Sequence, residues 1–514
     1  MNKKEDLIAL IKSLSKTEKR YFKLFVSKNA IGESNHYLKL FNVIEKAGTA
    51  DKKGIQEHYG SDDFIQKQYR TYKHLLYKQI LKSLRSYHSE KSVDDNILEL
   101  IRDAKILYDK TLYNDAEKVL EKAKNLAYKY EKYTFLPQIV RWQKKIFADW
   151  SIYNNTSGTE ILQLFEEEML IVHQMGNVNE YIKLKALIFL SYRINGEART
   201  QNDIDRYNNI IDVPALKIDE VTLSYEAKKE YYGIYLIYFT AINNIKEAYK
   251  YGEKLVTLME AHPHQIEDDP LAYSKVLHNF LFAAKELKKY EEFFNIIPKL
   301  KSLLISFNIR SSVLLRICHL EIVTYIEIGQ FKKAELLLPE VEVILMEMTN
   351  KDEMLELFVN FGKATLFLGR EKYSKALAFL NIIQNDNKIY IRQDHHSFAK
   401  ILQLIIHFEK ENNDLLPYLV RSVYRDLLKR NKLHKTESIF IGFIRTKLNN
   451  IRSSKDQIEA FKALKEELIE ICNDHMEARF LELFDIISWL ESKIENRSFE
   501  EVLREKSGYV LKEI

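Results

Sequence analysis

Proline and glycine are scarce in this chain, 7 and 14 among 514 residues, far below an ordinary usage of about 5% and 7%. A sheet-rich protein needs a turn every eight to twelve residues or so, and so few turn formers cannot supply them. Long helices are what the composition leaves. Cysteine is scarcer still: Cys318 and Cys472 are too few for a disulfide framework or a thiolate zinc cluster, and each reads as a small core residue of a reducing compartment. Long apolar runs are missing as well. The longest, Tyr231 to Ile242, holds 12 residues where crossing a bilayer takes about 20, so no membrane span is expected. The opening MNKKEDLIALIKSLSKTEKR is charged on both sides of a short amphipathic stretch and lacks the apolar core of a secretory leader. A cytoplasmic location is the expectation.

What is present is a balance of 46% hydrophobic and 30% charged residues, enough apolar surface to bury and too much for wholesale disorder. The length fits several compact domains or one extended array. Charge is unevenly spread. Residues 1–91 hold 19 Lys+Arg against 10 Asp+Glu, a net +9 beside the +4 of the whole chain, so residues 92–514 carry −5. A boundary near Ser92 follows, with a basic N-terminal helical domain at 1–91 and a second domain at 92–514. In the first, Ser15 and Glu18 have the spacing of a capping box ahead of Tyr21, Phe22, Leu24 and Phe25. Gly32 and Gly48 break the pattern afterwards. A brief helical piece at Gly54 to Tyr59 ends at Gly60 and Ser61, and a long helix is predicted from Phe64 to His88.

From Ser92 onward the helical period hardly stops, and loops as short as YNN, NNI and LKKY imply antiparallel hairpins. Aligning the hairpins exposes a repeat. YNDAEKVLEKA from Tyr113, YEEFFNIIPKL from Tyr290, FKKAELLLPEV from Phe331 and YSKALAFLNII from Tyr373 each open on an aromatic and place core residues three, seven and ten positions later. Segments from Ile245 and Leu416 fit more loosely. The starts at 245, 290, 331, 373 and 416 lie 45, 41, 42 and 43 residues apart. From 113 to 245 is three intervals of 44, which predicts degenerate repeats over Ile139 to Ile211. Pro298 and Pro339 share one place in their repeats, where each should bend or restart the second helix.

The pattern aromatic, two residues, alanine, then apolar residues four and seven beyond, as in Tyr113, Ala116, Leu120 and Ala123, resembles the second half of a tetratricopeptide (TPR) repeat. Tyr373, Ala376, Leu380 and Ile383 match it, as do Phe331, Ala334, Leu338 and Val341, with Gly329 at the expected hairpin turn. The intervals exceed the roughly 34 residues of the standard repeat, so the likeness is to the broader TPR-like class with longer helices. The stretch LSKTEKRYFKLF, Leu14 to Phe25, is also similar to a segment near the N-terminus of bacterial TPR-like proteins. The resemblance implies an all-α protein: a right-handed TPR-like α-solenoid of antiparallel hairpins with repeats of about 42–44 residues, preceded by a small helical domain. It implies no activity. Proteins of this class hold a peptide or helix of a protein partner in a concave groove.

Catalytic motifs are missing. The nearest approach to a Walker loop, GKAT at Gly362 to Thr365, has Leu357 where the leading glycine belongs and Ala364 where the hydroxyl belongs. No HExxH, GxSxG or GxGxxG occurs, so neither an enzyme nor a cofactor is expected. His262 and His264, close to Glu267, Asp268 and Asp269, read as a solvated loop rather than a metal site. His395 and His396 point to different sides of a helix. Glu166, Glu167 and Glu168 read as a wet helix face. The helix from Phe64 to His88 stands apart: six Lys/Arg and no acid between Phe64 and Ser89. Lys67, Arg70, Lys78, Lys82 and Arg85 share one arc, while Ile65, Tyr69, Tyr72, Leu76, Ile80, Leu84 and Tyr87 gather on the other side. A solvated face is one meaning of that stripe. An anionic partner is the other, nucleic acid if this is the second helix of a helix-turn-helix. The leading expectation is therefore a non-enzymatic scaffold or adaptor that binds a protein partner through the solenoid groove. The alternative is a regulator whose N-terminal helices bind nucleic acid while the repeats bind a partner.

Overall fold

A computed structural model describes residues 5–28, 34–47, 63–88, 92–154, 158–220, 223–306, 311–348, 352–385, 392–412, 414–430, 432–446, 453–471, 473–474, 477–478, 481 and 483–509. Every regular element among them is helical, with no strand, as the shortage of turn formers requires. No helix among the described residues is long and apolar enough to cross a membrane. Two compact units divide the chain, Met1–Met175 and Gly176–Ile514.

In the first unit, helices Glu5–Ser13, Lys16–Lys28, Ser34–Ala47 and Asp63–His88 close around Leu7, Ile11, Phe22, Phe41, Leu76 and Ile80. The capping box is formed. The Ser15 N–H donates to the Glu18 carboxylate at 2.7 Å, and the Glu18 N–H donates to the Ser15 hydroxyl at 3.2 Å, which satisfies two donors at the start of Lys16–Lys28. Gly32, Gly48, the piece at Gly54 to Tyr59 and the stop at Gly60 and Ser61 lie outside the described residues. A separate core of Ile97, Ile101, Ala104, Leu120, Ile139 and Ile171 holds helices Val93–Asp109, Tyr113–Lys129 and Leu136–Asn154 with the first part of Gly158–Asn195. The charge step near Ser92 falls between these two cores, whereas the division into compact units comes at Met175.

Helices begin at Tyr113, Ile245, Tyr290, Phe331, Tyr373 and Leu416, where the aligned segments begin. Positions three, seven and ten residues on are buried at Ala116, Leu120 and Ala123, at Phe293, Ile297 and Leu300, and at Ala376, Leu380 and Ile383. In the Leu416 segment Val420, Val423 and Leu427 are buried, four, seven and eleven residues on, so only the middle position coincides and it aligns loosely. In three segments the opening aromatic reaches the end of the next hairpin's first helix. Tyr290 donates to Glu327 at 2.8 Å and Tyr373 to Glu409 at 3.2 Å, while the ring of Phe331 lies 2.5 Å from where a Cβ on Gly369 would stand.

Two expectations need correction. Between Leu136 and Ile211 the helices start at Leu136, Gly158 and Gln201, which keeps the interval, but no turn separates the second helix of one pair from the first of the next. Both merge into the 38-residue helix Gly158–Asn195, whose apolar residues before Gly176, Ile171 and Met175, pack in one core and those after it, Val178, Tyr181 and Leu184, in another. The two prolines also part ways. Pro339 restarts the chain, between helix Phe331–Leu336 and helix Leu338–Glu347, whereas Pro298 sits inside the unbroken helix Tyr290–Ser306. Cys318 is buried, and burial, with Glu340 nearby, pushes its thiol up to about 12; Cys472 lies outside the described residues.

The second unit adds contacts between hairpins far apart in sequence. Helix Phe499–Ser507 lies on the turn after helix Ser311–Glu327. Arg504 donates to the Gly329 carbonyl at 3.3 Å, and Phe499 meets Phe331 with ring centroids 5.9 Å apart. Arg199 pairs with Glu437 and, at 3.5 Å, with Glu477. Helix Glu353–Gly369 is buried on nearly every side, as an all-round apolar helix must be. Gly329 makes the closure possible: φ is +64°, and a Cβ there would stand 2.5 Å from the Glu500 carbonyl oxygen. Gly329→Ala is therefore expected to cost about 1–3 kcal/mol. A lower denaturant midpoint and faster amide exchange over 499–507 would register it, and an unchanged midpoint would refute the closure.

Candidate functional site

The predicted basic helix forms over Asp63–His88. Tyr72, Leu76 and Ile80 are buried and Leu84 packs against the same core, so its opposite side is free for charge. Lys78, Lys82 and Arg85 are exposed on that side, and no described carboxylate pairs with them. The side chains of Lys67 and Arg70 lie outside the described residues. The C-terminal end of the helix is tied down: Tyr21 meets Tyr87 at 5.0 Å and shares a hydrogen bond with Ser86 at 3.0 Å, and His88 meets Glu18 at 2.8 Å. Burial alone would raise the Glu18 pKa, but hydrogen bonds from Ser15 and His88 outweigh it and the group is lowered.

A second constellation lies inside the second unit, where successive first helices converge. His278 comes from helix Pro270–Glu286, His319 from Ser311–Glu327, Phe358 from Glu353–Gly369 and His395 from Gln393–Glu409. The His319 ring stacks on Phe358 at 5.7 Å, and Phe358 meets His395 at 4.9 Å. Arg392 closes the row, 5.1 Å over Phe358 and 5.3 Å over Tyr192. Its guanidinium, almost wholly buried, donates to Asp394 at 2.6 Å and to Glu197 at 3.1 Å. The Arg392 backbone is left-handed, φ 47° and ψ 60°, a strained state for a side-chain-bearing residue, and its N–H reaches the Arg193 carbonyl at 3.3 Å. Gly196 makes room, since a Cβ there would stand 2.6 Å from the Asp394 carboxylate.

Charge follows this geometry. Burial alone would lower Arg392 and raise Asp394, but each faces the other, and Arg392 is held above and Asp394 well below its ordinary range. Beside them Arg199 meets Glu437, whose pKa burial raises in spite of that partner. Burial would likewise raise Glu477, yet it is lowered by hydrogen bonds from the Thr436 hydroxyl at 2.7 Å and backbone N–H at 3.1 Å. The cavity among Glu197, Arg199, Asp394, Ser397, Lys432 and Glu437 measures about 30 Å³, room for a water and far short of the several hundred Å³ of a substrate pocket. The network fastens distant hairpins to one another.

The other sequence candidates fall at definite places in the fold. GKAT at Gly362 to Thr365 lies within the buried helix Glu353–Gly369, not in a loop. His262 caps a short helix, Pro263–Asp268, where a loop was expected, and its ring meets the Leu258 carbonyl at 2.8 Å. Among the described residues no group of three or more His, Cys, Asp or Glu could hold a metal ion. The glutamate run is only partly wet: Glu167 takes Lys124 and Tyr128, both at 2.6 Å, and Glu168 takes Lys144 at 2.5 Å. The Arg392 network was missed. The one local signal for it is QDHH at the head of a helix otherwise as apolar as FAKILQLII. No known protein family matches the chain, and no curated protein sequence matches it.

Burial lowers His278 to about 4, His319 to about 3 and His434 to about 4, with His278 and His395 adding to the effect on His319 and Arg199 to that on His434. Unfolded histidines take up a proton near pH 6.5. Between there and about pH 4 the unfolded chain binds more protons, so stability is full above the unfolded value and is lost as pH falls. Thermal melts are expected to show a lower Tm at about pH 5 than at 7, and the H278Q/H319Q variant a smaller drop. A Tm independent of pH over this range would refute the assignment.

Proposed function

We propose that this chain is a non-enzymatic scaffold or adaptor, a TPR-like right-handed α-solenoid whose inner surface takes a peptide or helix of a protein partner. The observation that carries the reading is the convergence of Tyr192, His319, Phe358 and His395, joined through Arg392 and from separate hairpins, onto one row. His278, His319 and Phe358 remain half-buried, and Lys275 and Asn279 beside them are exposed, so the row has an aromatic floor and a polar rim. Binding surfaces draw their energy from a few such anchors rather than from area. The helices Ser311–Glu327, Glu353–Gly369 and Gln393–Glu409 each contribute one ring to the row, as stacked repeats would in building a recognition surface.

A photo-crosslinking residue at Asn279 is expected to capture the partner from the native host, whereas the same residue at Lys332, exposed on a second helix of a hairpin, is not. Capture only from Lys332, or from neither position, removes the groove reading.

A second reading is favoured by Lys78, Lys82 and Arg85, exposed and unpaired among the described residues: a regulator whose N-terminal helices bind duplex nucleic acid through this face. The variant K78E/K82E/R85E is then expected to weaken retention of duplex DNA in a mobility-shift assay and to flatten its salt dependence by about three phosphate contacts. If the wild-type chain retains no duplex at low salt, the regulator reading fails.

A further inference from the structure

Helix Leu416–Lys429 carries a face that neither the core nor the inner row uses. Its buried side is Leu416, Val420, Val423 and Leu427. At 100° per residue, Arg421, Arg425, Tyr418, Lys429 and Ser422 fall within an arc of about 100° on the opposite side. All five are exposed, Tyr418 by 70%. Together with Asp426 they line a shallow trough of about 460 Å³. Asp426, the one acid in the trough, is already engaged by Lys400 at 2.8 Å and Arg430 at 3.0 Å. Among the described residues no carboxylate pairs with Arg421, Arg425 or Lys429.

The trough therefore offers three unneutralised cations, one helical turn apart, beside an open aromatic ring. Eight residues of helix separate the outer two, about 12 Å, a span comparable with three or four nucleotides of one strand at about 3.4 Å each. Arginine's planar fork matches phosphate oxygens two at a time, and two of the three cations are arginines. Binding to single strands combines these elements: a cationic track for the backbone and an aromatic face on which a base stacks. An acidic protein segment would neutralise the cations too, but the open Tyr418 ring beside them favours a ligand that carries a flat ring with each charge, as every nucleotide does.

We propose that this face binds single-stranded nucleic acid, with Arg421, Arg425 and Lys429 on phosphates of one stretch of three or four nucleotides and Tyr418 stacked on a base. The site depends neither on the inner row nor on the Asp63–His88 helix. The test is fluorescence anisotropy of labelled oligothymidine and oligouridine with the full chain at about 50 and 150 mM KCl. The variant R421E/R425E/K429E is expected to bind at least about tenfold more weakly, with a log–log salt slope shallower by about 2. Y418A is expected to lose about fivefold or more, while Y418F keeps wild-type binding. K332E/K462E, which reverses exposed lysines on two other helices, serves as the control and should leave single-strand binding intact. The neutral variant R421Q/R425Q/K429Q gives the same readout should the reversal disturb folding, which circular dichroism would reveal. Three results would overturn the proposal: no single-strand binding by the wild-type chain at the lower salt; loss in K78E/K82E/R85E with none in the trough variants; or displacement by poly-glutamate together with indifference to Y418A, which marks an acidic protein partner instead.

Discussion

No hairpin in this chain can bury its own apolar face, and the rest of the structure follows from how the next hairpin covers it. A small residue three positions into the second helix, Ala116, Ala334 or Ala376, is fully buried and lets the helices approach. At Tyr290, Phe331 and Tyr373 the aromatic that opens the second helix then meets the end of the following hairpin's first helix. Tyrosine serves where a glutamate waits at the end of that hairpin's first helix, as at Glu327 and Glu409. Phenylalanine serves at 331, where Gly369 leaves room for a bare ring. Each contact is worth little singly, but it recurs along the chain, and it ties the register of one hairpin to that of the next.

Nearest-neighbour stacking alone would give an open array of independent steps. The second unit goes further, because charged groups join hairpins that are not neighbours. Arg392 with Glu197 and Asp394, and Arg199 with Glu437 and Glu477, are buried ion pairs, whose desolvation offsets much of their attraction. They contribute little net stability over a well-packed apolar substitute, yet separating any partner would strand a charge in the interior at about 3–5 kcal/mol. The arrangement therefore penalises misalignment more than it rewards assembly. The aromatic and histidine row beside it inherits its position from that alignment.

Much of this was legible in the sequence, for definite reasons. Helix class follows from the dearth of glycine and proline. Helix starts follow from the aromatic-and-alanine spacing, since the residues that set the packing lie within one helix. The Ser15–Glu18 box and the apolar side of the Asp63–His88 helix are local in the same sense. The merged helix through Gly176 was not legible, because MGNVN reads as a turn by composition while Met175 and Val178, on either side of it, are each held in a core. The roles of Glu167 and Glu168 were hidden for another reason: their partners sit on other helices, Lys124 and Tyr128 on Tyr113–Lys129 and Lys144 on Leu136–Asn154. The Arg392 network is beyond any local reading, since Glu197 lies 195 residues away and only the closed structure brings the two together.

That closure bears on how such a chain can evolve. Open repeat arrays lengthen and shorten by duplicating or deleting one unit, since every unit meets the same kind of neighbour. Here Arg504 must find the Gly329 carbonyl 175 residues back, and Arg199 must find Glu437 238 residues ahead. A hairpin gained or lost in either interval would carry one partner past the other. A change in the number of hairpins in the second unit would thus break bonds that span it, whereas a substitution or a longer loop tip would leave them in place.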